Sequence, residues 1–367
     1  MPGGSVEHAP ARRSTHAMRD LIIAIALFAL LILALVAAFF ALYRELWSAS
    51  AFAERYVEEI ADADASGALA MPGVAPEFTE LEEIDRGYAS ETLLRSATLT
   101  SDIEDIHATE ERVTSDGEDE IIEITVGYTL DGKPDEMVFS VERTGTAGLV
   151  PAWAFERSPL SVIDLTVRGS WQFSVNEFEI DKRQVSPEGL EAKALDPVSL
   201  LTFSPGTYDV AVDTAATVAD PRSVRSAGSL ETVEVDIQTE PTPELNEVVQ
   251  DNIEKFLDEK CTTQAVLQPQ GCPFGAPPDI SASGIAQPDI AWEMVDYPTT
   301  ALVPDGDDWR VSPTSGMVRL SLTLQNYYTG VLEPVERDVY FTMVASVEVS
   351  DDGGVHITID QAGNLDG

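Results

Sequence analysis

The chain is poor in positive charge. Its 367 residues carry 22 Lys and Arg against 64 Asp and Glu, a net charge of −42. Neutralising nucleic-acid phosphates needs cations in excess, so nucleic acid is excluded as the main partner. Lysine is the scarcer cation, with 5 copies against 17 Arg. That acidic, Lys-poor balance fits a salt-adapted protein or an exported surface kept soluble by its charge. Asparagine occurs five times and never as N-x-[ST], so no N-glycan acceptor is present.

Histidine is scarce too: His8, His16, His107 and His356 are the four. A hydrolase triad needs His beside a nucleophile and an orienting acid. No G-x-S-x-G or S-x-x-K motif accompanies them, and no H-E-x-x-H or phosphate-cradling G-x-x-x-x-G-K-[ST] motif occurs. His356 alternates with Val355 and Ile357 and should face solvent. No catalytic residue, cofactor or metal ligand is assigned. Disorder is disfavoured, because hydrophobic residues make up 44% and mean hydropathy is −0.03. The length suits two or three domains.

What is present is one long apolar run. Leu21 to Tyr43 holds 23 residues without charge, Gly or Pro. As a helix it spans roughly 34 Å, against a hydrocarbon core of about 30 Å. A cleaved signal peptide would carry a shorter apolar region of about 7–15 residues. The run therefore predicts an uncleaved signal anchor. Tyr43 and Trp47 suit the outer interface, while Arg12, Arg13 and Arg19 precede the span and predict an N-terminus inside. Residues 1–20 then form a short cytoplasmic tail. Setting aside residues 1–43 removes three basic and two acidic side chains, leaving 19 basic and 62 acidic residues outside. Such a surface disfavours anionic lipid and wall polymers and favours a cationic partner or simple stand-off.

Three segments should follow, giving α+β domains on either side of a small all-β sandwich. In 44–158 the helix is expected to run on from Arg44 through Phe52, Tyr56, Val57 and Ile60, stopping near Gly67. A second helix is expected over 79–96. Period-two alternation then starts at Ile122, Ile124, Val126, Tyr128 and Leu130, turns at Asp131-Gly132, and returns at Met137, Phe139 and Val141. A strand over 103–113 joins it through Ser115-Asp116-Gly117. Trp153 and Phe155 close the sheet. In 159–238, Trp171, Phe173 and Val175 alternate, as do Ile163, Leu165 and Val167. Pro205-Gly206 suits a type II turn. In 239–367, Thr242 and Pro243 open a helix with the stripe Leu245, Val248, Val249, Ile253, Phe256 and Leu257. A Pro-rich stretch and antiparallel strands follow it.

Cys261 and Cys272 are the only cysteines. Outside the cell, at this separation, they predict a structural disulfide. Asp62-x-Asp64-x-Ser66-Gly67 looks like the start of a calcium loop, but the twelfth position is Gly73, so a polar helix end is preferred. The acidic stretches 305–308 and 350–354 read as turns, and Glu118-Asp119-Glu120 as a charged hairpin. Trp153, Trp171, Trp292 and Trp309 could line sugar sites; core packing is the stronger reading for Trp153 and Trp171.

The residues AFAERYVEEIADADASGAL, EIIEITVGYTLDG…EMVFSVER and PAWAF resemble cystatin-like or nuclear-transport-factor-like modules of bacterial envelope proteins. The segment with FSPGTYDV resembles small β-modules of membrane-anchored, teicoplanin-resistance-associated-like proteins of Gram-positive, actinobacterial-type organisms. The resemblance covers about half the chain and implies an envelope location. Some relatives carry a cytoplasmic zinc ribbon, whereas this tail has no cysteine. The His and Asp of enzymes with that fold map onto no pair here.

Together these readings predict a single-pass envelope protein displaying non-enzymatic binding or scaffolding modules, with an unknown ligand or an envelope-protein partner. Two alternatives stay open: a tethered hydrolase of wall or ester substrates, and a sensor acting through a membrane partner.

Overall fold

The computed structural model describes residues 15–115, 121–148, 150–306, 308–350 and 354–361. Arg12, Arg13 and the turn and charged-hairpin residues 116–120 lie outside them, as do Asp307 and 351–353 of the two acidic turns. The architecture is one apolar N-terminal helix followed by a mostly β body with antiparallel sheets.

Helix α1 spans Thr15–Trp47. Every residue from Arg19 to Phe39 is exposed, so no protein core accounts for its apolar surface. The helix does not run on. Ser48 has extended backbone, and its hydroxyl accepts the Ala51 amide at 3.1 Å, capping α2 (Ala49–Ala61). A hydroxyl at this point satisfies an orphan amide of the next helix and so favours a break. Gly67 is not the stop: it lies inside α3 (Ala65–Ala70), whose cap Asp64 accepts the Gly67 amide at 2.9 Å. The two acids of the calcium-like motif therefore serve helix ends, Asp62 closing α2 and Asp64 opening α3.

The helix expected over 79–96 is also corrected. Helix α4 covers only Phe78–Glu83, and single 3-10 turns follow at Glu91–Leu93 and Ser96–Thr98. Asp85 takes a left-handed φ of 57°, which sends Arg86 away to the carboxylate of Asp164 at 2.6 Å. Tertiary charge pairing ends the helix here.

Strands β1 (Ile103–Ser115), β2 (Ile121–Leu130), β3 (Lys133–Ala147) and β4 (Val150–Phe155) form an antiparallel meander in that order. Asp131 and Gly132 both have positive φ, as the tight two-residue hairpin between β2 and β3 requires. The inward faces of β2 and β3 pack on Phe52, Tyr56, Val57 and Ile60 of α2. Phe155 lies 4.9 Å from Phe52 and 5.2 Å from Tyr56, ring to ring. Burying each such side chain contributes roughly 1.5–3 kcal/mol.

The middle part holds β5 (Ser161–Arg168), β6 (Gln172–Val175), β7 (Phe178–Asp181), the single turn α5 (Lys182–Val185), β8 (Val198–Thr202), β9 (Gly206–Asp213), β10 (Thr217–Ser226), β11 (Thr232–Gln238) and β12 (Glu240–Pro241). They form a five-stranded sheet, β12-β10-β9-β6-β7, and a three-stranded sheet, β11-β5-β8, in which β5 and β11 run parallel. Strand β5 is buried on both faces. Val162 joins the core beneath α2, while Ile163, Leu165 and Val167 fill the sandwich core. The helix-and-meander layer thus packs against the outside of the sandwich. Two details differ from the sequence reading. Trp171 precedes β6 rather than belonging to it. Ser204–Pro205 is cis and Gly206 has no positive φ, so the turn is not type II, which needs φ above zero at its third residue.

The last part begins with α6 (Pro243–Phe256), which passes through a π-turn, Leu257–Cys261. It continues with α7 (Pro278–Ser283), β13 (Gly284–Ala286), β14 (Ala291–Asp296), β15 (Leu302–Asp305), β16 (Asp308–Asn326), β17 (Leu332–Val349) and β18 (Val355–Gln361). Strand β16 is the hub, pairing with β13, β14, β15 and β17. Leu245, Val249, Ile253 and Leu257 lay one face of α6 on Val318, Leu320, Phe341, Met343, Ala345 and Val347. Val248 of the expected stripe is left 41% exposed.

Candidate functional site

The chain hands over from the sandwich to the last part at Thr239–Pro243, and a cleft opens beside that joint. Its volume is about 420 Å³, within the range of roughly 300–1,000 Å³ common for small-molecule sites, which favour domain interfaces. The sandwich supplies the loop Gly169–Gln172 and the turn Thr214–Thr217; the last part supplies the first turns of α6 and Trp309.

Each wall has a local cause. Thr214 Oγ1 accepts the amides of Ala216 and Thr217 at 3.3 and 2.9 Å, which folds the chain between β9 and β10 into a tight side-chain-held turn. Thr242 caps α6 by accepting the Leu245 amide at 3.1 Å, with Pro243 at the first helical position. Its hydroxyl also donates to the Ala215 carbonyl at 2.8 Å, and its amide donates to the Ala216 carbonyl at 2.9 Å. One threonine therefore starts the helix and fastens it to the sandwich.

Trp171 from the sandwich and Trp309 from the last part both line the cleft. Trp171 is half-buried, with the Arg183 guanidinium 5.5 Å from its ring centroid. Arg183 is itself fixed on Asp181 by an Nε–Oδ1 bond of 3.0 Å, and that bond holds the Asp181 carboxyl below the usual carboxylate range. Trp309 is 1% exposed, and its Nε1 has no acceptor among the described residues. Gly169 makes room for it. With φ of +82°, Gly169 stands where a Cβ would lie 2.7 Å from Thr239 Oγ1, 3.0 Å from Trp309 Cζ2 and 3.4 Å from Cε2, the atom bonded to Nε1. The Gly169 backbone therefore packs directly against the indole, where a side chain would not fit. Among the described lining residues Glu244 is the sole ionisable one, and it sits exposed at the mouth.

The other two candidate tryptophans are accounted for by packing. Trp153 donates to the Trp47 carbonyl at 3.0 Å, and Trp292 donates to the Val266 carbonyl at 2.9 Å. Trp292 and Trp309 both lie in the core under α6.

The residues expected at a membrane interface are dispersed. Arg19 is exposed, 3.8 Å from Asp20. Tyr43 lies within α1, its side chain outside the described ones. Trp47 ends the helix half-buried, and Arg55 donates to the neighbouring Leu46 carbonyl at 3.1 Å. The end of α1 is thus tied to the first layer by two side chains. Cys261 and Cys272 form a disulfide with Cα atoms 5.7 Å apart. His107 bonds the Asp105 backbone carbonyl at 2.6 Å, and His356 sits exposed opposite Glu348 in the β17–β18 register. Asp135, which shares a shallow hollow with His107, is paired with Arg225.

Sequence reading did not bring Trp171 and Trp309 together. In the sequence Trp171 reads with Phe173 and Val175 and Trp309 follows an acidic turn, and only the docking of α6 on the Thr214–Thr217 turn puts both in the lining of one cleft. Gly169 gave no signal beyond a glycine ending a strand. Comparison with protein-family models, with curated proteins and with solved structures finds no match.

Proposed function

We propose that the protein is a single-pass cell-envelope protein. Helix α1 anchors it, with the N-terminus inside, and residues 44–158, 159–238 and 239–367 form outer α+β, β-sandwich and α+β modules that bind or scaffold rather than catalyse. The observation that carries this reading is the long apolar helix whose residues from Arg19 to Phe39 are all exposed, fastened at its end to a packed body through Leu46 and Trp47. The strongly acidic outer part supports a cationic or neutral partner over an anionic one. The ring nitrogen of His107 that makes a hydrogen bond spends it on a backbone carbonyl, and Asp135 spends its charge on Arg225, which supports binding over hydrolysis.

A reporter enzyme that is active only outside the cell, fused after Gly367, tests the placement. It should be active in cells, and the chain should stay with membranes through alkaline carbonate washing. A silent fusion or a freely soluble chain overturns the anchor. Turnover of ester or glycoside substrates by the purified chain overturns the non-enzymatic part.

A further inference from the structure

We propose that a groove on the outer face of β6 and β7, continuous with the cleft at the α6 joint, takes an extended basic segment of a partner protein. Its Lys or Arg groups lie against the sandwich carboxylates, and an adjoining apolar side chain lies against α6. The proposal rests on the binding-module reading above and names the partner's chemistry.

A second hollow, of about 400 Å³, adjoins the cleft, and Gln172 and Thr214 line both. Strand alternation builds its floor. Phe173 and Ile180 stand opposite each other in the β6–β7 register and fill the sandwich core, so Ser174, Glu179 and Asp181 face outward. Ser174 is paired with Ala211 of β9, which puts Asp213 on the same outer face. Asn176 and Glu177 both have positive φ and turn the hairpin tightly. Asn176 Nδ2 donates to the Thr98 and Thr207 carbonyls at 2.7 and 3.2 Å. The acidic wall is thus fixed before a partner arrives, which lowers the cost of binding.

The two halves differ in chemistry. The hollow exposes Glu177, Glu179 and Asp213, and no cation pairs with any of them among the described residues. The cleft exposes Ala215 and Val248 beside half-buried Val349 and Val355. One guanidinium already lies at the boundary: Arg183 is bonded to Asp181 and faces the Trp171 ring. The chain itself therefore shows that a cation suits the place where carboxylate meets apolar surface. Charge complementarity selects the partner. An anion would be repelled by the acidic wall. No three acids among the described residues stand close enough to hold one metal ion. Separate cationic groups along a chain match them instead, and the apolar stems of Lys and Arg can lie on the groove floor. An apolar residue next to those cations finds Val248, and the acidic surface as a whole steers such a segment inward.

The closing experiment selects a displayed library of random heptapeptides on the full chain held in nanodiscs of zwitterionic lipid, with empty nanodiscs as counter-selection. We expect enrichment of sequences that place Lys or Arg next to Leu, Val, Ile or Phe. Calorimetry with the most enriched peptide should show an affinity that falls as salt rises. Glu179→Gln combined with Asp213→Asn should weaken it about ten-fold or more, and so should Val248→Trp, which fills the apolar half. All three positions are exposed, so the fold should survive, and circular dichroism of each variant checks this. Glu333→Gln combined with Glu336→Gln removes the same charge from β17, outside the groove, and should leave the affinity nearly unchanged. No enrichment, or enrichment of peptides that lack either the basic or the apolar residues, overturns the proposal. So does affinity that survives the groove substitutions, an equal loss in the β17 control, or tighter binding of spermidine than of the peptide. Any of these results with an active outside reporter overturns the groove alone. A silent reporter or substrate turnover overturns the envelope-module reading whichever peptides bind.

Discussion

The Thr242 hydroxyl donates to the Ala215 carbonyl at 2.8 Å while accepting the Leu245 amide at 3.1 Å. A single side chain thereby couples the first turn of α6 to a turn of the preceding sandwich. The relative placement of the two bodies, and so the width of the cleft between Trp171 and Trp309, depends on it.

Thr242→Val should therefore cost more than an ordinary cap. Losing an N-cap costs about 0.5–2 kcal/mol. The Ala215 carbonyl loses a donor in addition; Ala215 is exposed, so water can replace that donor, and the net loss of such a hydrogen bond is about 0.5–1.5 kcal/mol. We expect a total of about 2 kcal/mol or more in denaturant unfolding, and recovery with Thr242→Ser. A valine variant as stable as the parent would refute the coupling.

The disulfide between Cys261 and Cys272 closes a short loop at the end of α6, beneath Phe274 and Trp292. Loop-closure entropy for this size corresponds to about 3 kcal/mol. The double variant Cys261→Ser, Cys272→Ser should melt lower by several degrees. Unreduced mass spectrometry of the parent should find no free thiol.

Alkaline pH should unfold the protein through its buried phenols. Burial raises Tyr56 well above its ordinary value, pushes Tyr128 up to about 12, and also raises Tyr208, whose hydroxyl donates to the Phe203 carbonyl at 2.9 Å. A raised folded value means that the native state holds its proton where the unfolded chain has released it. Stability from these groups is complete below about pH 10 and falls as pH rises above it. Phenolate absorbance should thus show a component that appears together with loss of near-ultraviolet circular dichroism. Full ionisation of every tyrosine before any unfolding would refute the burial of these three.

Salt should stabilise the chain. At a net charge of −42 the folded body repels itself, and added ions screen that repulsion over about 10 Å at 0.1 M. The exposed pairs Arg168–Asp236 and Arg319–Asp338 lose strength in the same titration, but exposed pairs contribute little. We expect the melting temperature to rise with sodium chloride. A fall would mean that attractive pairs outweigh the self-repulsion.

Much of this structure was legible residue by residue. The alternations Ile122 to Leu130, Val318 to Leu324 and Phe341 to Val347 do form strands with those side chains inside. Thr242 and Pro243 do open a helix, and Asp131-Gly132 does turn a hairpin. These features arise from short-range rules: period, cap chemistry and permitted φ. Where the chain departed from expectation, a distant group decided. Arg86 left its helix for Asp164, and the serine hydroxyls of Ser161 and Ser226 hold Ser204 in the turn that a type II geometry would have replaced.

The sequence by itself determined the apolar helix, the charge, the cysteine pair and the strand faces, because each is a property of neighbouring residues. Only the tertiary structure decided that β5 is buried on both faces and that Trp171 and Trp309 share one cleft. Those facts depend on how separate layers dock, and docking is set by contacts among residues far apart in the chain.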